Sequence, residues 1–520
     1  MAEQLKIITN ELKKEERKQL TPIETIKKRQ AKELVIAFCG PAGSGNSTVA
    51  SKLEEVLKDE FGYEVVKVKV SEFIKQNADK IDMRYDPGMF KGDVFNKIKA
   101  FQDWGNELRK RFKNDILAQL TIKKIAVDRQ KRDEIIETAT GEEVKRKTAR
   151  VAYLIDSLKH PEEVNLLRAL YGNMFYLFGV LCPYTLREKR LQDKGMKVHE
   201  ASEIIGRDKQ QDEEYGQKLL KTLQYADFFI RNSHPTLEPL SAQLKRFINL
   251  ILGADVVTPS VDEYAMYVAQ SVALKSACMS RQVGAVIINK AGDIIATGCN
   301  DVPKHGGGLY SYSDGGNDMR CAKRVGAKCM NDFYKQKIRE EIADLLVQSQ
   351  LVTKDQSAKL AGDIVAKTRI SDLIEFSRAV HAEMDALVTA SRDSTESTKG
   401  AILYTTTFPC HNCARHIIAA GIQKVFYIEP YEKSLAVELH DDAIVLDSDT
   451  ATDKVQFLHF EGVAPRQYQN LFKPKDARKK DGKLLKVEPE TAMPVVPQYL
   501  DTFFDFESKV IDHLSGMGFN

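Results

Sequence analysis

The chain has 520 residues, of which 43% are hydrophobic and 29% are charged, and its formal net charge at pH 7 is +3. These values are typical of a soluble globular chain, and the length predicts roughly two to four domains. Because the net charge is this small, the overall composition gives no reason to predict nucleic-acid binding. Such a prediction would need a local cluster of basic residues. The first residues lack an apolar run, which predicts a cytoplasmic protein that makes no contact with a membrane. Eight cysteines in a chain of this length agree with a reducing compartment.

Residues 1–33 are predicted to form a charged helical lead-in, and its basic residues, which alternate with acidic ones, are interpreted as a solvated face. An apolar strand is then predicted at residues 34–39, a glycine-rich turn at 40–48 and a helix at 49–58. This order is the layout of a Walker A loop, whose backbone N–H groups and helix N-terminus bind phosphates. The candidate nucleotide-binding residues of the loop are Gly40, Gly43, Gly45, Asn46, Ser47 and Thr48.

One residue of this loop departs from the motif, because Asn46 stands where a Walker A loop has lysine. Asparagine can donate a hydrogen bond but carries no charge, so the neutralisation of phosphate charge that supports phosphoryl transfer is weakened. Ser47 still offers a hydroxyl group to Mg²⁺. We therefore expect the loop to bind or sense a nucleotide, with Mg²⁺, without appreciable kinase turnover.

Further strands are predicted at residues 63–70, 151–156, 175–181 and 227–230. Asp156 ends the third strand and is either a Walker B acid or a turn residue. Three arginines follow the fourth strand and are either phosphate-binding lid residues or surface residues: Arg187, Arg190 and Arg207. Residues 34 to roughly 250 resemble P-loop kinases, which implies a doubly wound parallel sheet in a domain at 34–252. An active kinase, a nucleotide-binding regulatory domain and a degenerate scaffold remain open, and the regulatory domain is favoured.

Residues 253–259 are the predicted linker to a second domain. A helix is predicted from Glu263 to about Met279, and strands at 281–288 and 293–298 are predicted to form a hairpin that leads to Asn300. A long insertion follows, with predicted helices at 333–346 and 374–380. The insertion contains a possible second metal-ligand set, although buried thiols are favoured, and its members are His305, Cys321 and Cys329.

The chemistry-bearing motif consists of His381 and Glu383, followed by Cys410 and Cys413 in a Pro-Cys-x-x-Cys segment. One imidazole and two thiolates suit a single Zn²⁺ and leave its fourth tetrahedral position to water, whose pKa the metal lowers to about 7. Glu383 is not needed as a ligand and is the candidate proton shuttle. His381 and Cys410 each precede a predicted helix, so two helix N-termini are expected to face the metal. The alternatives are a closed structural zinc site and a redox-active cysteine pair.

The order of a Val-Gly-Ala strand, a Gly-x-Asn turn, His-Ala-Glu and Pro-Cys-x-x-Cys resembles the deoxycytidylate deaminase family. The resemblance covers residues 260 to about 472 and implies a cytidine-deaminase-like α/β/α sandwich there. It also implies that Asn300 contacts the substrate's sugar, that Val283 and Gly284 line the pocket, and that the protein is a homo-oligomer. A turn-forming role is the alternative for Asn300.

A P-loop kinase-like domain joined to such a deaminase resembles the bacterial anti-phage deoxycytidine nucleotide deaminases. The resemblance implies hydrolysis of free dCTP and dCMP, depletion of dCTP during infection and restraint by an inhibitory RNA antitoxin. The alternatives are a polynucleotide deaminase acting on RNA or single-stranded DNA, and a bifunctional nucleotide kinase and deaminase. Residues 473–520 are predicted to be a basic stretch and a tail, with solvation as the default and contact with RNA or a nucleotide as the alternative.

Overall fold

The structure is a computed structural model that describes residues 21–27, 29–140, 149–209, 215–234, 236–431, 433–447, 453–474, 477–499 and 503–519. The predicted lead-in lies largely outside these residues. Its described part contains one short helix, Pro22–Lys27.

The secondary structure alternates strands and helices along both halves of the chain. The strands are β1 (Leu34–Cys39), β2 (Glu64–Lys69), β3 (Val151–Asp156), β4 (Phe175–Leu181), β5 (Phe228–Arg231), β6 (Gly284–Ile288), β7 (Ile294–Cys299), β8 (Ile402–Thr407), β9 (Lys424–Glu429), β10 (Ile444–Leu446), β11 (Val455–His459), β12 (Gly462–Val463), β13 (Lys479–Lys480) and β14 (Lys483–Leu484). The helices are α1 (Pro22–Lys27), α2 (Asn46–Asp59), α3 (Val70–Gln76), α4 (Val94–Phe112), α5 (Ile116–Thr140), α6 (Pro161–Tyr171), α7 (Tyr184–Gln192), α8 (Val198–Lys209), α9 (Leu219–Leu223), α10 (Glu238–Leu252), α11 (Val261–Ala273), α12 (Met330–Gln348), α13 (Lys354–Lys367), α14 (Ala382–Asp393), α15 (His411–Ala419), α16 (Ala436–Leu439), α17 (Tyr468–Phe472) and α18 (Phe504–Gly516). Short 3₁₀ helices lie at Ala78–Ile81, Gly172–Met174, Tyr312–Asn317, Arg369–Asp372 and Pro465–Gln467.

The first sheet has the strand order β12-β5-β4-β1-β3-β2, and its first five strands in chain order are parallel. Strands β1 and β4 are buried along their whole length, as expected for parallel strands covered by helices on both faces. Strands β2 and β3 lie on one side of β1, and β4 and β5 lie on the other. The carboxyl end of β1 is therefore a topological switch point of the sheet. Ligands of open α/β sheets bind at such a switch point, and the glycine-rich turn lies there.

The second sheet has the order β10-β11-β9-β8-β6-β7, in which β6 pairs antiparallel with both β7 and β8. The remaining neighbours are parallel. Helix α11 packs on one face of this sheet through residues that include Ala265, Met266 and Ala269. Helices α14 and α15 pack on the other face. The predicted fold class, a doubly wound parallel sheet followed by an α/β/α sandwich, is confirmed.

The two sheets are joined by a strand that the sequence did not indicate. Strand β12 follows the last strand of the second sheet and pairs antiparallel with β5 of the first, with Gly462 opposite Phe229 and Val463 opposite Phe228. The rings of Phe229 and Phe460 pack edge to face with their centroids 6.0 Å apart. One core cluster therefore runs from the first sheet into the second.

The C-terminal segment packs against the first sheet's helices. Glu507 of α18 is buried and accepts hydrogen bonds from Arg129 of α5 at 2.6 Å and from the Tyr171 hydroxyl at 2.8 Å. The ring of Phe519 lies edge to face on Phe112, with centroids 4.9 Å apart. The basic stretch forms the exposed hairpin of β13 and β14.

Two predicted helices differ from the structure. Helix α11 ends at Ala273, because the following turn is held by the Ser276 hydroxyl, which donates to the carbonyl oxygen of Asn300 at 2.6 Å. Residues 374–380 are not helical, because the Val380 N–H group pairs with the carbonyl oxygen of Asp301 instead. Within the described residues, none of the helices combines the length and apolar character that a membrane crossing requires.

Candidate active site

The first half of the motif lies where α14 begins. His381 is the N-cap of α14, and Glu383 lies buried in its first turn. The helix lies close against β7, because a Cβ atom at Gly298 would be only 2.3 Å from both the carbonyl oxygen of Ala382 and the nitrogen of Ala386. Glycine at position 298 therefore lets the start of α14 approach the sheet and fixes the depth of His381.

The second half lies where α15 begins, directly after β8. Cys410 is the N-cap of α15, and its Sγ atom accepts a hydrogen bond from the backbone N–H of Cys413 at 3.4 Å. Strand β8 pairs with β6 and β9 in the middle of the sheet, so its end is held on both sides. Both helix N-termini face the same point, which favours negative charge there.

The three proposed metal ligands converge. The Nδ1 atom of His381 lies 3.2 Å from Sγ of Cys410 and 3.3 Å from Sγ of Cys413. Tetrahedral zinc with ordinary bond lengths sets a nitrogen and a sulfur ligand about 3.6 Å apart. An imidazole and two thiols at these separations fit Zn²⁺, and within the described part of the chain they are the one His, Cys, Asp and Glu cluster with metal-site spacing.

Their protonation equilibria are coupled. Hydrogen bonds from Cys413 and His381 lower the pKa of Cys410 to about 4. The hydrogen bond to Cys410 raises the pKa of His381 to about 9. The same thiolate raises the pKa of Cys413. The cluster thus favours a Cys410 thiolate, which is the form that ligates a metal.

Glu383 lies beside the ligand set without belonging to it. Its Oε2 atom accepts a hydrogen bond from the Cys413 thiol at 3.5 Å. Burial, followed by the charge of Cys410, raises the pKa of Glu383 to about 7. A carboxyl group with a pKa near neutrality suits proton transfer in both directions.

A cavity of about 330 Å³ opens over this cluster and is lined by His381, Glu383 and Cys410. Three cationic side chains that the sequence analysis did not single out also line it. Arg281 lies 5.7 Å from the centroid of the Tyr431 ring, Arg378 donates to the carbonyl oxygen of Met319 at 3.0 Å, and Lys433 pairs with Asp372 at 2.6 Å. No sequence signal marks them, because they come from three separate loops.

The predicted substrate-side residues separate into two groups. Asn300 and Val283 line the cavity. The Asn300 side chain holds the start of β6, since its Oδ1 accepts from the N–H of Val283 at 2.7 Å and its Nδ2 donates to the Arg281 carbonyl at 2.8 Å. Gly284 is not among the lining residues. It lies against α11, where a Cβ atom would be 1.9 Å from the carbonyl oxygen of Ala269.

The candidate second metal set is not brought together in the described residues. Cys321 and Cys329 line the cavity as free thiols, together with Cys278. His305 is not among the lining residues.

The P-loop candidates lie apart from this cavity, at the carboxyl end of β1. Ser47 donates a hydrogen bond to Oδ2 of Asp156 at 2.9 Å, so a hydroxyl group and a carboxylate meet as in a Walker A and Walker B pair. Arg190 donates to the carbonyl oxygen of Ser44 at 3.2 Å, whereas Arg187 and Arg207 contact other groups. The loop residues are distributed over the turn, which contains Gly40, Gly43 and Gly45, and the first turn of α2, which contains Asn46, Ser47 and Thr48.

Comparison with known proteins matches residues 259–429 to the cytidine and deoxycytidylate deaminase zinc-binding region. The deoxycytidylate deaminase of Enterobacteria phage T2 is 30% identical over 171 residues, which cover 32% of this chain and 80% of that protein. The dCMP deaminase of cyanophage S-TIM5 aligns at 19% identity over 39% of this chain and 100% of that one, with a TM-score of 0.22. The shikimate kinase of Acinetobacter baumannii aligns at 13% identity over 43% of this chain and 96% of that one, with a TM-score of 0.24.

The matched segment contains the donor cluster of His381, Cys410 and Cys413, Glu383 beside it, and the strands that position them. The identity and coverage shared with the phage T2 enzyme establish the relationship. The chain belongs to the cytidine and deoxycytidylate deaminase family of hydrolytic enzymes.

Proposed function

We propose that this protein hydrolyses the 4-amino group of free deoxycytidine nucleotides, dCTP or dCMP, to give dUTP or dUMP and ammonia. The observation that carries the proposal is one cavity lined by His381 and Cys410 of the donor cluster, by Glu383 and by three cations. The cluster and Glu383 supply the chemistry of hydrolytic deamination. The cations suit the phosphates of a nucleotide.

His381, Cys410 and Cys413 would hold Zn²⁺, which when bound polarises water and lowers its pKa. Glu383 receives the proton that water loses as its oxygen forms a bond to C4 of cytosine. The same carboxyl group delivers a proton to the ring nitrogen N3. It then takes the second proton, from the new hydroxyl group on C4, and gives it to the amino nitrogen, so that the C4–N bond breaks, the C4 carbonyl forms and ammonia leaves. Burial of Glu383 excludes bulk water from competing for these protons.

The charge of the cavity supports a nucleotide over a nucleoside. Arg281, Arg378 and Lys433 come from different loops and share the lining of one cavity. Arginine and lysine bind phosphate through charge-assisted hydrogen bonds, which are stronger than neutral ones. A substrate that carries phosphates gains these contacts, and free deoxycytidine does not.

The rival activity is deamination of cytosine in a polynucleotide, which uses the same metal chemistry on a flipped base. It requires an open basic channel with stacked aromatic residues along the strand. No sequence stretch near residues 381–413 supplies both features.

Product analysis decides between them. The full-length protein is incubated separately with dCMP, dCTP, CMP, CTP, deoxycytidine and a single-stranded cytosine-containing oligonucleotide, and the products are separated by chromatography. We expect uracil nucleotides from dCMP or dCTP and little conversion of deoxycytidine. Conversion of the oligonucleotide alone would reverse the assignment.

The wider role proposed for the protein is depletion of dCTP in anti-phage defence, with restraint by an inhibitory RNA and assembly as a homo-oligomer in the cytoplasm. The resemblance of the two-part chain to anti-phage deaminases supports it. The P-loop kinase-like domain at residues 34–252 is called the first unit below. For it we propose binding of a nucleotide with Mg²⁺ in a regulatory role, supported by the contact between Ser47 and Asp156. A bifunctional kinase and deaminase is the alternative, and Asn46 argues against it because the loop's own lysine is missing.

A further inference from the structure

The glycine-rich loop is closed by its own side chains. The Nδ2 atom of Asn46 donates to the carbonyl oxygen of Gly40 at 3.2 Å, and the Ser44 hydroxyl donates to Oδ1 of Asn46 at 3.4 Å. Asn46 thus holds the two ends of the loop together. It contributes no charge, so a phosphate in this loop would need a cation from elsewhere.

A lysine from another part of the first unit reaches the same point. The Nζ atom of Lys159 lies 2.9 Å from the carbonyl oxygen of Gly40, the oxygen that also accepts from Asn46. Because Nζ of Lys159 and Nδ2 of Asn46 donate to the same oxygen atom, the two nitrogen atoms lie close to each other. Lys159 therefore brings its charge next to the position from which the motif lysine is missing.

The backbone around Lys159 is fixed. Its N–H group donates to Oε2 of Glu163 at 2.9 Å, and its carbonyl oxygen accepts from the N–H of Lys218 at 3.1 Å. Glu163 is itself buried and paired with the buried Arg109 at 2.7 Å. The lysine thus projects from a rigid turn between β3 and α6, which reduces the entropy lost when it binds a ligand.

A carboxylate already lies where an anion would bind. Oδ2 of Asp208, a residue of α8, accepts the backbone N–H of Ala42 at 2.5 Å and lies 3.1 Å from Nζ of Lys159. Backbone N–H groups of such a loop are the donors that contact phosphate oxygens. Asp208 is 1% exposed and is also bound by Gln102 at 2.8 Å. A loop N–H group and a lysine on one carboxylate oxygen form the donor set of an anion site.

There is space for a ligand beside these groups. A cavity of about 240 Å³ is lined by Ala42, Asp156, Lys159 and Asp208, among others. Arg190, the other cation on the loop, is not among its lining residues and donates to the outer carbonyl groups of Gly43 and Ser44. In the described part of the chain, Lys159 is thus the cation that contacts the loop and also lines the cavity. Arg109 lines the cavity as well, but it is paired with Glu163.

We propose that Lys159 replaces the missing loop lysine as the cation that binds the phosphates of a nucleotide, and that Asp208 occupies the anion position until phosphate displaces it. The proposal rests on the nucleotide-binding role proposed above for the first unit. It is independent of the deaminase chemistry, because the two cavities share no lining residue.

The test is calorimetric titration of the full-length protein with inorganic triphosphate in the presence of Mg²⁺. This probe contains no base, so it reports on the phosphate site alone. Lys159→Gln should weaken binding roughly tenfold or more, because a charge-assisted contact is lost. Lys159→Arg should retain most of the affinity. Asp208→Asn should bind severalfold more tightly than the wild type, because the competing charge is gone.

The matched control is Lys194→Gln, which removes one lysine charge from an exposed position of the same unit and should bind as the wild type does. The circular dichroism spectrum and thermal unfolding midpoint of each variant, compared with the wild type, show whether the chain is folded. Equal affinity of Lys159→Gln and the wild type would overturn the role of Lys159. If neither the wild type nor Asp208→Asn binds triphosphate at millimolar concentration, the nucleotide-binding role fails as well. If Lys159→Gln does not fold, unchanged affinity of Asp208→Asn still refutes the proposal.

Discussion

Glu263 and Arg246 form an ion pair with two hydrogen bonds, from Nη1 to Oε1 at 2.8 Å and from Nη2 to Oε2 at 2.6 Å. The pair joins α11, beside the second sheet, to α10, beside the first. Glu263 is 1% exposed, and its Oε1 also accepts the backbone N–H of Val463 in β12 at 2.9 Å. One carboxylate thus ties the start of α11 to the middle of α10 and to β12 of the first sheet.

Glu263→Ala should destabilise the whole chain by about 2–4 kcal/mol, because it leaves a guanidinium group and a buried N–H group without their partner. Urea unfolding followed by circular dichroism measures the loss. The control is Glu438→Ala at an exposed position of α16. A loss of less than about 0.5 kcal/mol for Glu263→Ala would show that the ion pair does not hold the units together.

Removal of residues 1–252 is a poor test of regulation by the first unit. Strand β12 would lose its partner β5, and α18 would lose the helix against which it packs. Such a truncated chain would expose apolar surface whatever its regulation. Point substitutions such as Lys159→Gln leave these interfaces intact.

Glu383→Gln should lower the rate of deamination roughly a hundredfold to ten-thousandfold while the protein still binds zinc, because the amide cannot transfer protons and Glu383 is not in the ligand cluster. Ammonia release and elemental analysis measure the two properties on one sample. Glu396→Gln, at an exposed position after α14, should retain full activity. Normal turnover by Glu383→Gln would remove its assignment as the proton shuttle.

Cys410→Ser should reduce bound zinc from about one per chain to nearly none, since the cluster has three protein ligands and no replacement donor. Cys321→Ser is the matched control, because Cys321 lines the same cavity without joining the cluster. Elemental analysis after dialysis gives the stoichiometry. Loss of zinc in Cys321→Ser would instead support a second metal site in the insertion.

The stability that His459 contributes should fall as the solution is acidified through the range in which histidine titrates. The partly buried position of the His459 ring lowers its pKa by desolvation, and the positive charges of Arg231 and Arg187 act in the same direction while Asp447 opposes them. Below the unfolded pKa of about 6.5, the unfolded chain binds a proton that the folded chain does not. The stabilisation is therefore complete above about pH 6.5 and is lost as the pH falls toward the folded pKa.

His459→Gln should remove the acid-side loss of stability that this ring contributes, so between about pH 7.5 and 5.5 the unfolding midpoint should fall less, or rise more, than in the wild type. Differential scanning fluorimetry across that range gives the profile. His234→Gln, which removes an exposed ring, should give the wild-type profile. Identical profiles for all three proteins would exclude His459 as the titrating group.

Elements that depend on neighbouring residues could be predicted from the sequence. The spacing of His381 and Glu383, and of Cys410 and Cys413, predicted a donor cluster at two helix starts, and the structure brings these residues together. The glycine-rich turn after β1 was likewise predictable, because turn chemistry and the apolar run before it are adjacent in the chain.

The distant residues that complete each site could be identified only from the three-dimensional arrangement of the chain. Lys159 is 119 residues from its partner in the P-loop, Gly40. Asp208 is 166 residues from its partner there, Ala42. The partners Glu263 and Val463, which tie β12 to α11, are 200 residues apart. Residues 374–380 have a composition compatible with a helix, yet they form a turn and bends that lead to the bridge between Val380 and Asp301. Such contacts depend on strand pairing and helix packing between remote segments, whose free energies no local pattern of residues encodes.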